Sequence, residues 1–206
     1  MNLSDVRLTL ADCISLSSFF STHSCIDMPT ISFSGCYAGS AGLKSISNGL
    51  RNHRSVHKLD LRQNVCRDGS VFSSIICSLS TCLVEVDVSY NGVGRTGAIS
   101  VCQALHLCRR LCVAGLSVLS PKVSDTIPLA SICDVVESCP QLRGMYAHGY
   151  CFQFDSGDLE RFVSAAQHHG ELSTLYISRT HGDNPRLVSR LDRLVSDPSC
   201  SLVRVL

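Results

Sequence analysis

Several residue types are scarce in this 206-residue chain, and each shortage argues against a class of function. Tryptophan is absent and aromatic residues make up 6%, which leaves little for a surface that stacks nucleic-acid bases. Charged residues make up 17% and the formal net charge is +1, so we expect neither nucleic acid nor an anionic membrane as the main partner. No run of about 18 apolar residues occurs, nor a basic start followed by an apolar stretch, so we expect no membrane span and no signal peptide.

Thirteen cysteines, in contrast, are scattered through apolar patterns. No C-x-x-C pair occurs, and the nearest metal candidates, His106 with Cys108 and the pair His168-His169, lack zinc-finger spacing. Cysteine often acts as a small apolar residue in a packed interior. We therefore expect no metal site, and reduced thiols without a secretory signal favour a cytoplasmic protein.

One pattern recurs along the chain: an apolar residue, two others, an apolar residue, one other, an apolar residue, two others, then a small or polar residue. The clearest copies are Val56-Leu59-Leu61-Asn64 and Leu83-Val86-Val88-Asn91. Further copies begin at Met28, Cys108, Leu142, Leu172 and Leu202, after a weak opening copy with Leu8, Leu10 and Cys13. The steps between first positions from Met28 onward are 28, 27, 25, 34, 30 and 30 residues, which indicates internal repeats.

Each copy predicts a short strand followed by a helix. The two apolar residues separated by one lie on the same side of a strand, and an Asn can bond the backbone where the chain leaves it. A helical spacing follows, as in Phe72, Ile75, Ile76 and Leu79. Expected helix starts are Ser124 or Asp125, Ser156 or Asp158, and Asn184-Pro185. Such a unit cannot bury its apolar side alone, so the units must stack.

These segments resemble the ribonuclease-inhibitor-like class of leucine-rich repeats. The resemblance is carried by Leu59-x-Leu61-x-x-Asn64, by Val86-x-Val88-x-x-Asn91 with Gly97, by Pro198 to Leu202, and by the cysteines near the strand starts, which are Cys82, Cys108, Cys139 and Cys200. It covers most of residues 28–206 and implies an α/β solenoid, a horseshoe arc of about six to seven repeats with a parallel concave sheet and convex helices.

We treat residues 1–206 as a single leucine-rich-repeat domain whose repeats are irregular at 1–27 and 111–160. The last residues, Ser201 to Leu206, begin a new strand. An unpaired apolar edge is unfavourable, so we expect this end either to continue in a longer gene product or to be covered by a partner.

The run from Gly92 to Gly97 contains G-x-G-x-x-G after a strand and before a helix, the setting of a dinucleotide-binding motif. The repeat explains Gly97, because Gly42 holds the same place two copies earlier, after Cys36. The acidic residue that would bind a ribose is also missing between Leu111 and Leu119. We therefore expect no cofactor.

We also expect no catalytic residues and no enzymatic activity. No G-x-S-x-G elbow occurs, and His148 and His181 are typical of surface loop histidines. Two alternatives stay open. Ran GTPase-activating protein has the same repeat class, and Arg95, in a loop beside the strand edge, could act on a small GTPase in that way. The chain could also be a structural segment of a larger assembly.

The outward strand residues of such a repeat array line its concave face. We expect a protein partner to bind there, because tyrosine is a favoured anchor at interfaces. In the fourth copy, the outward positions are predicted to be Arg110, Cys112 and Ala114. The candidate partner-binding residues are Lys58, Asp60, Arg62, Glu85, Asp87, Arg110, Tyr146, His148 and Tyr176. The sequence thus predicts a non-catalytic protein-interaction scaffold.

Overall fold

The computed structural model describes residues 1–117, 126–177, 185–197 and 204–205. Short strands alternate with helices through these ranges. The strands are β1 (Thr30–Ser32), β2 (Lys58–Asp60), β3 (Glu85–Asp87), β4 (Val113–Gly115), β5 (Thr126–Pro128), β6 (Gly144–Ala147), β7 (Cys151–Gln153), β8 (Thr174–Ile177) and β9 (Arg204–Val205). The helices are α1 (Leu10–Thr22), α2 (Gly39–Leu50), α3 (Gly69–Leu79), α4 (Gly94–Leu105), α5 (Leu129–Ser138), α6 (Ser156–His168) and α7 (Pro185–Ser196).

Seven of these strands form one parallel sheet in the order β1-β2-β3-β4-β6-β8-β9. This order follows the chain, so each strand pairs with the strand of the next unit. The helices pack in the same succession, α1 on α2 through α6 on α7. The α/β architecture and the stacking of strand–helix units are therefore confirmed.

The core lies between the sheet and the helices. One apolar residue from the middle of each strand is in register with the next, and this row is buried: Ile31, Leu59, Val86, Ala114, Met145 and Leu175. Leu61 and Val88, two positions after Leu59 and Val86, are also buried. The expectation that Leu59, Leu61, Val86 and Val88 point inward is confirmed.

Two buried asparagines join neighbouring units at the end of the strands. The Asn91 side chain accepts the backbone N–H of Asn64 at 2.8 Å and donates to the carbonyls of Leu61 and Val88, both at 2.9 Å. Asn64 repeats this one unit earlier, donating to the carbonyl of Phe33 at 2.8 Å. Each Asn thus holds its own turn and the preceding one, which confirms the predicted turn role.

Glycines let neighbouring helices approach each other closely. A Cβ added to Gly69 would lie 2.2 Å from the Cα of Gly97, and one added to Gly42 would lie 2.8 Å from the Sγ of Cys13. Gly97 therefore serves the packing of α4 on α3. Its place in the G-x-G-x-x-G run therefore has a packing role within the repeat.

The predicted register of the fourth unit is wrong. Ala114 was expected to face outward and Val113 inward, but Ala114 pairs with Val86 and is fully buried, and Val113 and Gly115 face outward. Leu111, not Cys108, takes the first position. Both Cys108 and Leu111 are apolar, so either fits the template, and the resulting shift of three residues, like any odd shift, exchanges the two faces of a strand.

The opening copy with Leu8, Leu10 and Cys13 is also wrong. Leu10 starts α1 and is 50% exposed. The first strand-like segment lies earlier instead, where Asn2 forms a parallel bridge with Ser32. Since Leu3 donates its N–H to the carbonyl of Ser32 at 2.9 Å, residues 1–3 form one edge of the sheet.

Three expectations in the irregular region 111–160 need correction. A second, two-stranded parallel sheet joins β5 and β7, and the pattern did not predict it. Asp155 caps α6 by accepting the N–H of Asp158 at 2.8 Å, whereas Ser156 and Asp158 were expected to do so. The helix expected to start at Ser124 or Asp125 begins instead at Leu129, directly after β5. The expected residues Ser124, Asp125, His181, Asn184 and Leu202 themselves lie outside the described residues.

Candidate functional site

The side of the seven-stranded sheet opposite the buried row is called here the open face. It consists of the first and third residues of each strand, which lie in two rows across the sheet. The first row is Thr30, Lys58, Glu85, Val113, Gly144 and Thr174, and the second is Ser32, Asp60, Asp87, Gly115, Tyr146 and Tyr176. Parallel strands lie about 4.8 Å apart, so residues adjacent in a row are direct neighbours.

One end of the open face carries a cluster of charged side chains on β2 and β3. The ammonium of Lys58 lies 2.7 Å from a carboxylate oxygen of Glu85, and the guanidinium of Arg62 binds Asp60 through two hydrogen bonds, at 2.7 and 2.9 Å. The cluster thus contains two cations and three carboxylates, and the third carboxylate is that of Asp87. Partly exposed ion pairs of this kind contribute little to folding stability, and this cluster retains one negative charge.

Asp87 is the carboxylate whose charge is least compensated. The Nε of Arg62 lies 3.6 Å from its Oδ2, beyond hydrogen-bonding distance, while Oδ1 accepts the backbone N–H of Ser89 at 2.9 Å. Burial raises the pKa of the Asp87 carboxyl above its ordinary value, although Ser89 and Arg62 act in the opposite direction. A cation placed beside Asp87 would therefore relieve a partly desolvated charge.

The other half of the open face carries three aromatic rings. The ring centroids of Tyr146 and Tyr176 lie 6.5 Å apart, and that of His148 lies 5.0 Å from Tyr176. Tyr146 is 38% exposed. The backbone of His148 is held in place by a 3.1 Å hydrogen bond from its N–H to the hydroxyl of Ser117. These rings offer apolar area to a partner from a firmly positioned backbone.

Two glycines separate the charged and aromatic halves. A Cβ on Gly115 would lie 2.5 Å from the carboxylate of Asp87, and a Cβ on Gly144 would lie 3.2 Å from the Tyr146 ring. Each glycine therefore makes room for a neighbouring side chain that leans over it. Sequence reasoning missed Gly115, although a glycine inside a strand is itself a signal of close approach.

The structure brings most of the predicted site residues together. Lys58, Asp60, Glu85, Asp87, Tyr146 and Tyr176 occupy strand positions of the open face, and Arg62 and His148 lie just beyond strand ends while contacting them. Arg110 does not belong to this set. It lies in the turn before β4, because the fourth unit begins at Leu111.

Arg95 lies in the first turn of α4, not in a loop as expected. Its guanidinium donates to the side-chain oxygen of Gln153 on β7 at 2.8 Å. This hydrogen bond ties the start of α4 to the small second sheet.

Most cysteines lie in the apolar interior. Burial raises the pKa of three thiols to about 12, those of Cys102, Cys108 and Cys133, so these thiols are protonated at neutral pH and are poor nucleophiles. Among the residues that the structure describes, no three His, Cys, Asp or Glu side chains are grouped to hold a metal ion. Nor does this part of the chain contain a helix long and apolar enough to cross a membrane.

Comparisons with known proteins give only distant likenesses. No protein-family model matches the chain, and no curated protein does. Among solved structures, the chain is similar to a tropomodulin C-terminal domain from Caenorhabditis elegans, with 9% identity and a TM-score of 0.47 over 88% of this chain and 92% of that one. It is also similar to a structure of the Rad7 and Elc1 complex in yeast, with 14% identity and a TM-score of 0.37 over 85% of this chain and 57% of that one. At these TM-scores, neither likeness says what this chain binds.

Proposed function

We propose that the chain is a leucine-rich-repeat protein of the ribonuclease-inhibitor-like class, a horseshoe of about six to seven repeats that acts as a non-catalytic scaffold. In this proposal a protein partner binds the open face, which is the concave side of the arc, and the protein works in the cytoplasm. Support for the class comes from the in-register strands and from Asn64 and Asn91, which bond two successive turns each.

The pair of tyrosines on the open face carries the functional proposal. Tyr146 and Tyr176 are direct neighbours in register, and their rings lie side by side on hydrogen-bonded strands. Tyrosine side chains in the centre of an interface commonly contribute about 2 kcal/mol or more to binding. Because the sheet fixes the backbone beneath them, little order is lost when a partner binds.

The charges of the open face favour a protein over a nucleic acid. Lys58 pairs with Glu85 and Arg62 pairs with Asp60, and Asp87 adds a further negative charge. Nucleic-acid affinity depends on cations that neutralise phosphates, and these two cations already face carboxylates. A polar, partly charged surface with aromatic anchors is typical of protein interfaces.

The placement of the reactive groups supports binding over chemistry. Burial keeps the thiols of Cys102 and Cys108 protonated, with pKa values of about 12, and the guanidinium of Arg95 is hydrogen-bonded to Gln153. An arginine that stimulates phosphoryl transfer must reach the phosphates, so the bond to Gln153 would have to break first.

The experiment is affinity capture from a cell extract with the immobilised chain, followed by mass spectrometry and measurement of the dissociation constant for the captured protein. Tyr146→Ala and Tyr176→Ala should each weaken the binding of that protein by about 1–3 kcal/mol. The thermal unfolding of the chain should stay unchanged in both variants. The matched control is Tyr37→Ala, which removes a tyrosine that is 63% exposed and lies outside the open face. Wild-type affinity in both open-face variants contradicts the proposal.

A further inference from the structure

The boundary between the charged and aromatic halves of the open face has a specific chemistry. Asp87, Gly115 and Tyr146 are consecutive in one row across β3, β4 and β6. The carboxylate of Asp87 leans over Gly115, since an added Cβ there would meet its oxygens at 2.5 and 2.9 Å. The charge therefore lies about one strand spacing, roughly 5 Å, from the row position of Tyr146.

The tyrosine leans in a different direction, along its own strand. Its ring lies over Gly144 on its own strand, with Cε2 3.2 Å and the hydroxyl 3.6 Å from the position of an added Cβ. Tyr146 is 38% exposed. In this row the Asp87 carboxylate and Tyr146 thus flank Gly115, which has no side chain.

No cation of this chain among the described side chains neutralises Asp87 at hydrogen-bonding distance. Arg62 makes two hydrogen bonds to Asp60, at 2.7 and 2.9 Å, and approaches Asp87 only to 3.6 Å. Lys58 lies 2.7 Å from Glu85. Charge complementarity therefore calls for one positive group from outside the chain.

We propose that the open face receives an arginine side chain of a protein partner, with its guanidinium between the carboxylate of Asp87 and the ring of Tyr146. This inference rests on the proposed function and names the chemistry of the partner. The planar guanidinium stacks on an aromatic face while its N–H groups donate to a carboxylate. A lysine ammonium satisfies the charge but not the planar stacking, so arginine is the better fit.

A direct test uses two small probes that differ in charge. N-acetyl-arginine amide and its neutral isostere N-acetyl-citrulline amide are titrated into the ¹⁵N-labelled chain, and the amide resonances of Gly115 and Tyr146 are followed by NMR. The arginine probe should shift these resonances in a saturable way and bind about tenfold more tightly than the citrulline probe, as expected for a charge-assisted hydrogen bond. Equal binding of the two probes, or no saturable shift, overturns the inference.

A variant pair assigns the effect to one carboxylate. Asp87→Asn keeps the side-chain shape and an oxygen that accepts the Ser89 N–H, so the fold is retained while the charge is lost. It should weaken the arginine probe about tenfold. The control, Glu171→Gln, removes an acidic residue outside the open face that pairs with Arg143 at 3.3 Å, and it should leave probe binding unchanged. Unchanged binding in Asp87→Asn overturns the inference.

The captured protein then separates this inference from the proposed function. Loss of affinity in both Asp87→Asn and Tyr146→Ala supports the arginine anchor. Loss in Tyr146→Ala alone leaves the open-face role intact and refutes the arginine anchor. Wild-type affinity in Tyr146→Ala and Tyr176→Ala refutes the open-face role, whatever the small probes show.

Discussion

Replacement of Asn91 by alanine should weaken the stack at one defined junction. The side chain is 4% exposed, its oxygen accepts the Asn64 N–H at 2.8 Å, and its nitrogen donates to the Leu61 and Val88 carbonyls, both at 2.9 Å. Alanine removes these three bonds and two longer ones, from the Cys66 N–H at 3.4 Å and to the Ser89 carbonyl at 3.2 Å. The Leu61 carbonyl keeps a 3.0 Å bond from Asn64, so the main loss falls on the Asn64 N–H and the Val88 carbonyl.

The size of the effect follows from these two backbone groups. A buried group that loses its hydrogen-bond partner costs about 1–3 kcal/mol, so we expect Asn91→Ala to lower the free energy of unfolding by about 2–6 kcal/mol. That is a large fraction of the total for a domain, about 5–15 kcal/mol. Asn91→Asp should be worse at neutral pH, because a carboxylate oxygen would then face two carbonyl oxygens.

The assay is urea unfolding followed by circular dichroism, with hydrogen exchange of the Asn64 amide as a local readout. Asn64 should exchange faster in Asn91→Ala, and the unfolding midpoint should fall. The control is Asn48→Ala, since Asn48 is an exposed residue of α2 and its replacement should change stability by about 0.5 kcal/mol or less. A midpoint for Asn91→Ala within the range of the control refutes the account of the turns.

Three further predictions concern strain, close packing and ionisation. Val65 has a φ of 57°, and Gly92, at the matching place in the next unit, has a φ of 72°. In urea unfolding, Val65→Gly should therefore stabilise the chain by about 1 kcal/mol, and Gly92→Val should destabilise it by about as much. Stability changes of the same sign in both variants contradict this prediction. Gly97→Ala would place a Cβ 2.8 Å from the Cβ of Val93 and 3.2 Å from the Cα of Gly69. It should destabilise the chain by about 1–3 kcal/mol and lower the melting temperature. The control, Gly170→Ala, should not, because an added Cβ there meets nothing within 4 Å. Burial raises the pKa of three thiols from 9.0 to about 12, so the folded chain holds these protons more tightly than the unfolded chain. Their contribution to stability is therefore complete below pH 9 and is lost as the pH rises toward 12. An unfolding midpoint that stays constant through that window contradicts this prediction. The three thiols are Cys102, Cys108 and Cys133.

The regular part of the fold could be predicted because its signals agree with one another. Leu59 with Leu61 and Val86 with Val88 alternate as a strand requires, and Asn64 and Asn91 mark the turns that follow. An inward apolar pair and a turn residue at fixed spacing allow only one strand register, because a shift by one residue would place leucine or valine in water. The structure has that register.

The fourth unit lacked such a constraint. Ala114 is small enough to stand on either side of a strand, and Cys108, Leu111 and Val113 are all apolar, so two registers fit the pattern. Packing decides between them, because Ala114 must pair with Val86 beneath the helices. The second sheet was missed because its strands, β5 and β7, carry no copy of the repeat pattern.

Half of the candidate site was visible in the sequence and half was not. Tyr146 and Tyr176 were predicted as outward residues from the alternation along their strands, and their placement is confirmed. The contact of Asp87 with Gly115 depends on how a side chain leans between strands. That depends on neighbours distant in the sequence, which a repeat pattern does not specify.

Photo-cross-linking from the open face tests the proposed binding role most directly. A benzophenone amino acid placed at Tyr146 should form a covalent adduct with the captured protein, and one placed at Leu107, which is 52% exposed and lies just after α4, should not. An adduct with that same protein from position 107 but none from position 146 would contradict the binding of a partner through the open face.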